Sequence, residues 1–208
     1  MASRRGDTLL NMMLFIEMFT LNRAWSDLSK DEFFWEPVPG SWSVRPREEC
    51  RTPNPFGIGD WVADFDGSVA GAAVEGKAIE PLTTIAWLFW HVGSMAGRTA
   101  DLNFLGGTKS AESGWTSAYL GDHPVFATPS EAVGVMQSGW RTLDEAIRAS
   151  TDEDLEQGTR FWGYPGHPGP PTQGYGIIAS VLNEISHHGS QVCMLRDLYR
   201  AVDGRNLG

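Results

Sequence analysis

The order of apolar and polar residues along the chain indicates four helices separated by segments rich in glycine and proline. Apolar residues recur every three to four positions, which places them on one face of an α-helix. The predicted helices cover roughly residues 8–28, 84–102, 129–149 and 175–200. In the first helix, the residues that fall near one face are Leu9, Met13, Ile16, Phe19 and Leu28. We expect the four apolar faces to pack around one core.

Capping residues support these boundaries. The expected N-caps of the first two helices are Asp7 for the first and Thr83 or Thr84 for the second. The third helix has the clearest start, because Thr128 can cap it and Pro129 occupies the first helical position. Glu131 then completes a capping box.

Two long connections, residues 29–80 and 151–174, join the first helix to the second and the third to the fourth. No sustained alternation of apolar and polar residues indicates a strand in either of them. Loops of this length are usually functional or disordered, and we expect them to lie near one end of the bundle. Long crossovers are typical of bundles that are not simply up-down-up-down. The predicted fold is all-α, a four-helix bundle with long crossover loops and a single domain over residues 1–208.

Composition and charge narrow the class of partner. Of the 208 residues, 41% are hydrophobic and 20% are charged, which is typical of a globular protein with a sizeable core. The formal net charge of −10 argues against nucleic acid and against an anionic membrane surface. Asn11 and Glu17 interrupt the apolar N-terminal run, so it is not typical of a signal peptide. Two cysteines, Cys50 and Cys193, do not form a disulfide framework. We expect a cytoplasmic, reduced protein.

The last predicted helix carries ionisable residues on its apolar face. Residues at helical spacing along this face are Ile177, Val181, Glu184, His188 and Leu195. A carboxylate and an imidazole one turn apart on a buried face are costly unless they are paired or coordinated. One interpretation is a buried hydrogen bond between Glu184 and His188 that fixes the register of the bundle. The other is a metal site.

His91, on the second predicted helix, favours the metal site. It lies on an apolar row with Trp87 and Met95, so a second helix directs an imidazole inward. Facing side chains of this kind build metal centres in helix bundles. Two imidazoles and one carboxylate suit zinc above all, and also nickel, iron or cobalt. Three protein ligands, His91, Glu184 and His188, would leave a coordination position open, as in catalytic sites.

Other polar residues near this pattern receive lesser roles. His187 is the competing ligand, but its offset from Glu184 favours a role that supports the site or contacts a neighbouring helix. Gln191 follows His188 by three residues and could hydrogen-bond a ligand or a bound substrate, although a solvated amide is equally compatible. His123 and His167 lie in loops and are interpreted as ordinary loop histidines. Cys193 lies off the ligand row and is expected in the core.

These motifs together resemble the DinB-like superfamily. Its members carry one histidine on the second helix and a fourth-helix motif of the form H/E-x3-H. The matching segments here are His91 with TIAWLFWH (84–91), EISHHGSQ (184–191), DEFFWEP (31–37), GSWSVR (40–45) and LRDLYR (195–200). The resemblance spans nearly the whole chain, with an insertion at roughly residues 46–81. It implies a DinB-like four-helix bundle that binds a divalent metal.

One departure from the common pattern refines the resemblance. Many members have histidine where this chain has Glu184, and the carboxylate version is similar to mycothiol-dependent maleylpyruvate isomerase and its relatives. The additional C-terminal domain of those isomerases is absent from these 208 residues. The chain is therefore more similar to the stand-alone thiol S-transferases of the superfamily. This resemblance implies a zinc enzyme that uses a low-molecular-weight thiol of the mycothiol type as co-substrate.

The expected function is transfer of the sulfur of such a thiol to an electrophilic small molecule. Arg45 and Arg98 are the candidates for contacting an acidic thiol, since Arg98 lies two helical turns beyond His91; a solvated or salt-bridged role is the alternative for Arg98. Three other functions stay open, namely a hydrolase or isomerase that uses metal-bound water, an iron oxygenase, and a non-catalytic metal-binding bundle. The protein is expected to be a monomer or a homodimer.

Overall fold

Helices make up most of the described structure, which confirms the all-α prediction. The computed structural model describes residues 3–57, 59–105, 125–157, 163–164, 167–168 and 174–202. Within these ranges the α-helices are α1 (Arg4–Ile16), α2 (Asn22–Trp25), α3 (Lys30–Phe34), α4 (Gly67–Val74), α5 (Ile85–Val92), α6 (Met95–Phe104), α7 (Pro129–Ala149), α8 (Asp152–Glu156) and α9 (Gly174–Val202). The strands are β1 (Ser43–Pro46), β2 (Trp61–Asp64), β3 (Gly163–Tyr164) and β4 (His167–Pro168). A π-helical turn, Glu17–Leu21, joins α1 to α2.

The first helix starts earlier than predicted. Its N-cap is Ser3, whose Oγ accepts a hydrogen bond from the Gly6 amide at 2.8 Å, so the assignment of Asp7 as the cap is wrong. Ser3 Oγ also donates to the carboxylate of Asp152, 2.6 Å away in α8. The acceptor of this second hydrogen bond lies 149 positions later in the chain, so local sequence rules do not detect it.

The apolar stripe predicted for the first helix holds only as far as the π turn. Leu9 and Met13 are buried as expected, but Phe19 is 72% exposed and Leu21 is buried in its place. A π turn accommodates one extra residue, so it shifts every later side chain by one position relative to a regular α-helix. The 3.6-residue period therefore assigns Phe19 to the wrong face.

The second helix is interrupted, whereas the sequence pattern predicts one helix. Thr84 is its cap and accepts from the Trp87 amide at 3.2 Å, which selects one of the two predicted caps. α5 ends at Val92, and Gly93 and Ser94 form a turn before α6 begins. A Gly–Ser pair is a common cause of helix kinks. The third helix, by contrast, begins at Pro129 with Thr128 as its cap, as predicted.

The packing order of the four bundle helices explains the long connections. The first helix (α1 to α2) packs against α7 and α9, and the second helix (α5 and α6) packs against the same two. The first and second helices therefore lie diagonally across the bundle, as do the third (α7) and fourth (α9). Chain segments that join diagonal helices must cross an end of the bundle, which requires length. Across the part of the chain described here, we find no helix that is long and apolar enough to cross a membrane.

Glycines permit two close contacts between bundle helices. A Cβ on Gly139 of α7 would lie 2.8 Å from the Gly97 nitrogen of α6, so the two backbones touch at this point. A Cβ on Gly189 of α9 would lie 2.7 Å from Thr20 Cγ2 in the π turn. A larger residue at either position would push a neighbouring helix outward.

The first long connection contains structure that the sequence pattern does not predict. β1 and β2 pair antiparallel, with Ser43 opposite Asp64, and Trp42 bridges to Thr83 just before α5. The expectation of no strands is thus wrong for this segment, because strands of four residues are too short to show a sustained alternation. Among the described residues this sheet has two strands, so it is a small addition to the bundle and leaves the fold class unchanged.

A buried carboxylate holds this connection together. Asp64 is 4% exposed and accepts hydrogen bonds from Arg45 Nε, the amides of Arg51 and Thr52, the Thr52 hydroxyl and the Cys50 thiol. Burial raises the pKa of Asp64, but the hydrogen bonds from Cys50 and Thr52 outweigh it and lower the pKa to about 2. The carboxylate is therefore ionised at every physiological pH, and the loop is fixed around it.

A buried ion pair joins α3 to α9. Arg196 is 2% exposed, and its Nε donates to Glu32 Oε1 at 2.8 Å. Its other donors reach the backbone carbonyls of Arg23, Ala24 and Asp27. A buried guanidinium is tolerated only when its charge and its N–H groups are matched, and here both conditions are met.

We expect Glu32→Gln to destabilise the protein by about 3–5 kcal/mol, because the Arg196 charge would stay buried without its carboxylate. Urea unfolding followed by circular dichroism measures the change. The matched control is Glu49→Gln, which neutralises an exposed glutamate and should change the unfolding free energy by less than about 0.5 kcal/mol. Equal effects of the two substitutions would show that the ion pair adds nothing to stability.

Candidate metal centre

Three ligand-type side chains meet between α5 and α9. One ligand atom from each of His91, Glu184 and His188 lies within 4.8 Å of the others. His188 Nε2 is 3.4 Å from Glu184 Oε2, one helical turn away on α9. The His91 ring meets the His188 ring edge-on, with centroids 4.7 Å apart at 89°. The structure thus brings together the three residues selected from the sequence.

His91 sits in the last turn of α5 in an apolar environment. The Trp87 indole stacks on its imidazole, with ring centroids 5.0 Å apart and planes at 14°. Burial, and to a lesser extent the neighbouring His188, lower the pKa of His91 to about 4. The imidazole is therefore neutral at pH 7 and has a lone pair available for a cation. The sequence predicts Trp87 only as an apolar neighbour of His91, although its position four residues before His91 places both on the same helical row.

Glu184 supplies the negative charge of the cluster. Hydrogen bonding to His188 is the main reason that the pKa of Glu184 lies below its ordinary value. Its side chain is 42% exposed, whereas that of His188 is 14% exposed. The cluster therefore has a buried side at His91 and a side at Glu184 that is more open to solvent among the described residues.

Gln191 bridges the two adjacent histidines of α9. His188 Nδ1 donates to Gln191 Oε1 at 2.7 Å, and Gln191 Nε2 donates to His187 Nε2 at 3.2 Å. Because Nδ1 is occupied by this hydrogen bond, Nε2 is the nitrogen of His188 that faces Glu184. Such a bond to the distal nitrogen orients metal-binding histidines. His187 is exposed and contacts the cluster through Gln191.

The residues fit a divalent cation. Glu184 Oε2 and His188 Nε2 lie 3.4 Å apart, so a cation at this point could take one ligand atom from each residue. Neutral His91 completes a set of two nitrogens and one oxygen, which suits zinc and its neighbours in the first transition row. The cluster is therefore a candidate divalent-metal site.

Arg45 binds residues of the first long connection. Its Nε donates to Asp64 Oδ2 at 2.9 Å, NH1 lies 2.8 Å from Glu36 Oε1, and NH2 donates to the Ser41 carbonyl at 3.1 Å. All three nitrogens of the guanidinium thus have partners within the first long connection. Contact between Arg45 and a thiol stays a prediction.

Arg98 is half-buried on α6. The expectation that it shares a face with His91 assumed one continuous helix, whereas a turn at Gly93 and Ser94 separates α5 from α6. A role for Arg98 in thiol binding also stays a prediction. Of the two loop histidines, His123 lies outside the described residues, and His167 lies in β4, where only the backbone is described.

Both cysteine thiols donate hydrogen bonds to neighbouring protein groups. Cys193 Sγ donates to the Thr20 carbonyl at 3.5 Å, and burial raises the pKa of its thiol. Cys50 Sγ donates to Asp64 Oδ1 at 3.1 Å. The core position expected for Cys193 agrees with its burial, at 8% exposure.

The fold and the site together define a helical bundle with a candidate metal centre between its second and fourth helices. The chain belongs to the DinB superfamily, whose family model matches residues 20–192. This match confirms the resemblance at the level of the superfamily and contains all three candidate ligands. Searches of curated proteins and of solved structures returned no match. The status of residues 46–81 as an insertion stays a prediction.

Purified protein should hold about one divalent ion per chain, most strongly zinc. We expect His91→Ala, Glu184→Ala and His188→Ala each to lose the ion, because each removes one of three ligands. Elemental analysis after dialysis measures the content. His187→Ala is the matched control and should retain most of the metal, since it removes an exposed imidazole next to the cluster. Loss of metal in His187→Ala with retention in His188→Ala would show that the wrong histidine has been assigned as ligand.

The metal-free chain should lose stability as the pH falls from 6.5 towards 4. An unfolded chain binds a proton at His91 near pH 6.5, whereas the folded chain binds it only near pH 4, so protons favour unfolding between these values. Between pH 7 and 5 the expected contribution is about 2 kcal/mol. Urea unfolding of chelator-treated wild type and His91→Gln at both pH values measures it. Equal losses in the two proteins would contradict the assigned pKa.

Proposed function

We propose that this protein is a metal-dependent thiol S-transferase that acts on a small electrophilic molecule. The proposal rests on the convergence of three ligand residues. A divalent ion held by three protein atoms would keep a coordination position for a substrate atom. The DinB superfamily includes metal-dependent enzymes. Glu184 at the first ligand position of the fourth-helix motif resembles the mycothiol-dependent members of the superfamily. This resemblance implies a low-molecular-weight thiol of the mycothiol type as co-substrate.

His91, Glu184 and Nε2 of His188 would hold the ion. When bound there, the ion supplies Lewis acidity, which lowers the pKa of a thiol or a water molecule in the remaining position. Gln191 keeps the proton of His188 on Nδ1 and so keeps Nε2 directed towards the cluster. Trp87 limits water at His91 by covering one face of its ring. These two neighbours preorganise the ligands before any substrate arrives.

The described residues place no reactive protein sulfur at the cluster. Burial raises the pKa of the Cys193 thiol, which disfavours its thiolate form. The Cys50 thiol donates a hydrogen bond to the Asp64 carboxylate. Thiolates, not thiols, are the effective nucleophiles. The nucleophile therefore arrives with a substrate, and the exposed side of Glu184 is where a small molecule would enter.

The proposed reaction is a substitution or an addition at an electrophilic carbon. The thiol releases its proton to solvent, its sulfur forms a bond to the carbon, and the electron pair of the broken bond leaves with the departing group. With an epoxide or a conjugated alkene, the same electron pair stays on the product and is protonated by solvent. This chemistry fits a cytoplasmic enzyme, where small thiols are kept reduced.

Cobalt substitution tests the proposal directly. Titration of the cobalt-substituted protein with mycothiol, glutathione, ergothioneine or cysteine should produce an intense near-ultraviolet charge-transfer band with at least one thiol, because sulfur coordinates as thiolate. Proton release should accompany the band. The double variant Cys50→Ser/Cys193→Ser is the matched control and should give the same band, since the sulfur comes from the added thiol.

A turnover measurement completes the test. Protein plus the binding thiol should conjugate a bimane or an activated aryl halide faster than the thiol alone, and chelation should abolish the difference. If no thiol produces a band while a group at the metal titrates near neutrality, the site acts on water and the protein is a hydrolase or isomerase.

A further inference from the structure

We propose that Gly189 is a positioning residue of the candidate metal centre. Because it has no side chain, α9 can pack against the π turn at the distance that brings His188 to His91. The inference rests on the candidate metal site, which the proposed function shares, but it needs no thiol chemistry. Gly189 directly follows His188 in α9 and lies on the side of the helix that contacts the first helix.

Glycine is an unfavourable residue in the interior of a helix. Only proline is worse there, because glycine loses the most backbone freedom when it is fixed in one conformation. α9 is nevertheless a continuous α-helix of 29 residues, and Gly189 lies in the turn that carries His188. The helix therefore has a glycine where local propensity favours any ordinary side chain, and the reason must be sought in its packing.

The space around Gly189 is filled by the π turn. A Cβ at this position would lie 2.7 Å from Thr20 Cγ2 and 3.3 Å from Leu21 Cδ2, whereas ordinary contacts start at 3.4 Å. Leu21 is fully buried and Thr20 is β-branched, so neither side chain moves aside freely. One methyl group at residue 189 would therefore displace α9 from the first helix by about 0.7 Å, the difference between 2.7 Å and 3.4 Å.

The same face of α9 is attached to the end of the first helix at two further points. Cys193, one turn beyond Gly189, donates through its Sγ to the Thr20 carbonyl. Arg196, in the following turn, donates through its guanidinium to the Arg23 carbonyl. Residues spaced by four and then by three lie on one face of a helix. Of these three contacts, that of Gly189 is the nearest in the chain to the candidate ligands.

The position of two candidate ligands depends on this contact. His91 belongs to α5, whereas Glu184 and His188 belong to α9, so a displaced α9 would move two ligands relative to the third. The ring centroids of His91 and His188 are 4.7 Å apart, a distance that the packing of the two helices determines. Metal sites tolerate deviations of about 0.2 Å in the distances to their ligands. A displacement of about 0.7 Å is well beyond that tolerance.

The π turn gives this contact its shape. A π turn accommodates one extra residue, so Leu21 is buried beside Gly189 while Phe19 is exposed. Turns of this kind occur frequently at functional sites. The first helix contributes none of the three candidate ligands, but through this turn it positions the helix that contributes two.

The zinc affinity of the full chain, measured without thiol, tests the inference. Gly189→Ala should weaken zinc binding by about ten- to a hundredfold, the range typical of residues that support metal ligands. Alanine favours the helix more than glycine does, so unfolding of α9 would not explain the loss. Competition with a chromogenic chelator measures the affinity. The visible spectrum of the cobalt-substituted protein should change as well, because it reports the geometry of the ligands.

Two further variants separate positioning from general effects on packing. Thr20→Ser removes the methyl group that a Cβ at residue 189 would meet, so Gly189→Ala/Thr20→Ser should recover most of the zinc affinity. Gly139→Ala is the matched control, because its Cβ would lie 2.8 Å from the Gly97 nitrogen and its nearest neighbours all belong to α6. It forces two other bundle helices apart and should keep the zinc affinity and the cobalt spectrum of the wild type.

Each result decides for or against the inference. Circular dichroism should show that all variants are folded. Wild-type zinc affinity and cobalt spectrum in Gly189→Ala would overturn the inference, and so would an equal loss of affinity in Gly139→Ala or a failure of Thr20→Ser to restore binding. A wild type that binds neither zinc nor cobalt would overturn it together with the metal site. A failed thiol reaction does not enter these measurements, since they contain no thiol.

Discussion

The buried guanidinium of Arg196 is the constraint from which the arrangement of this bundle follows. Its charge is removed from water, so every donor must find an acceptor, and Glu32 and the carbonyls of Arg23 and Asp27 supply them. Asp27 adopts a left-handed conformation, with φ of 51°, within the turn that presents these carbonyls. The exit of the first helix is thereby fixed against α9. Because α9 is a continuous helix of 29 residues, fixing Arg196 also fixes the candidate ligands two to three turns earlier.

The opposite wall of the candidate metal site depends on aromatic packing. Trp87 stacks on His91 and also contacts Trp42 and Phe65, whose ring centroids lie 5.5 Å and 5.6 Å from its own. Both of those residues belong to the first long connection. The connection thus serves as the apolar cover that keeps His91 neutral, and Asp64 holds the connection in shape from within. The first long connection, which departs most from a simple bundle, therefore provides the apolar surroundings of the candidate metal site.

α9 combines these roles on different parts of its length. Its middle carries Glu184 and His188, and its later turns bury Arg196. This fourth helix is long and uninterrupted, whereas the second helix is divided into α5 and α6 and the first contains a π turn. A rigid element that carries two ligands at fixed spacing is what a preorganised metal site requires.

Much of the fold and the candidate ligand set could be predicted from the sequence because they depend on local spacing. Thr128 and Pro129 define the start of the third helix by backbone chemistry alone, and residues four apart, such as Glu184 and His188, share a face on any α-helix. Only the tertiary structure decided the rest. The cap at Ser3 depends on Asp152, and the exposure of Phe19 depends on a π turn packed against Gly189. These features are determined by residues distant in the chain, which no local period encodes.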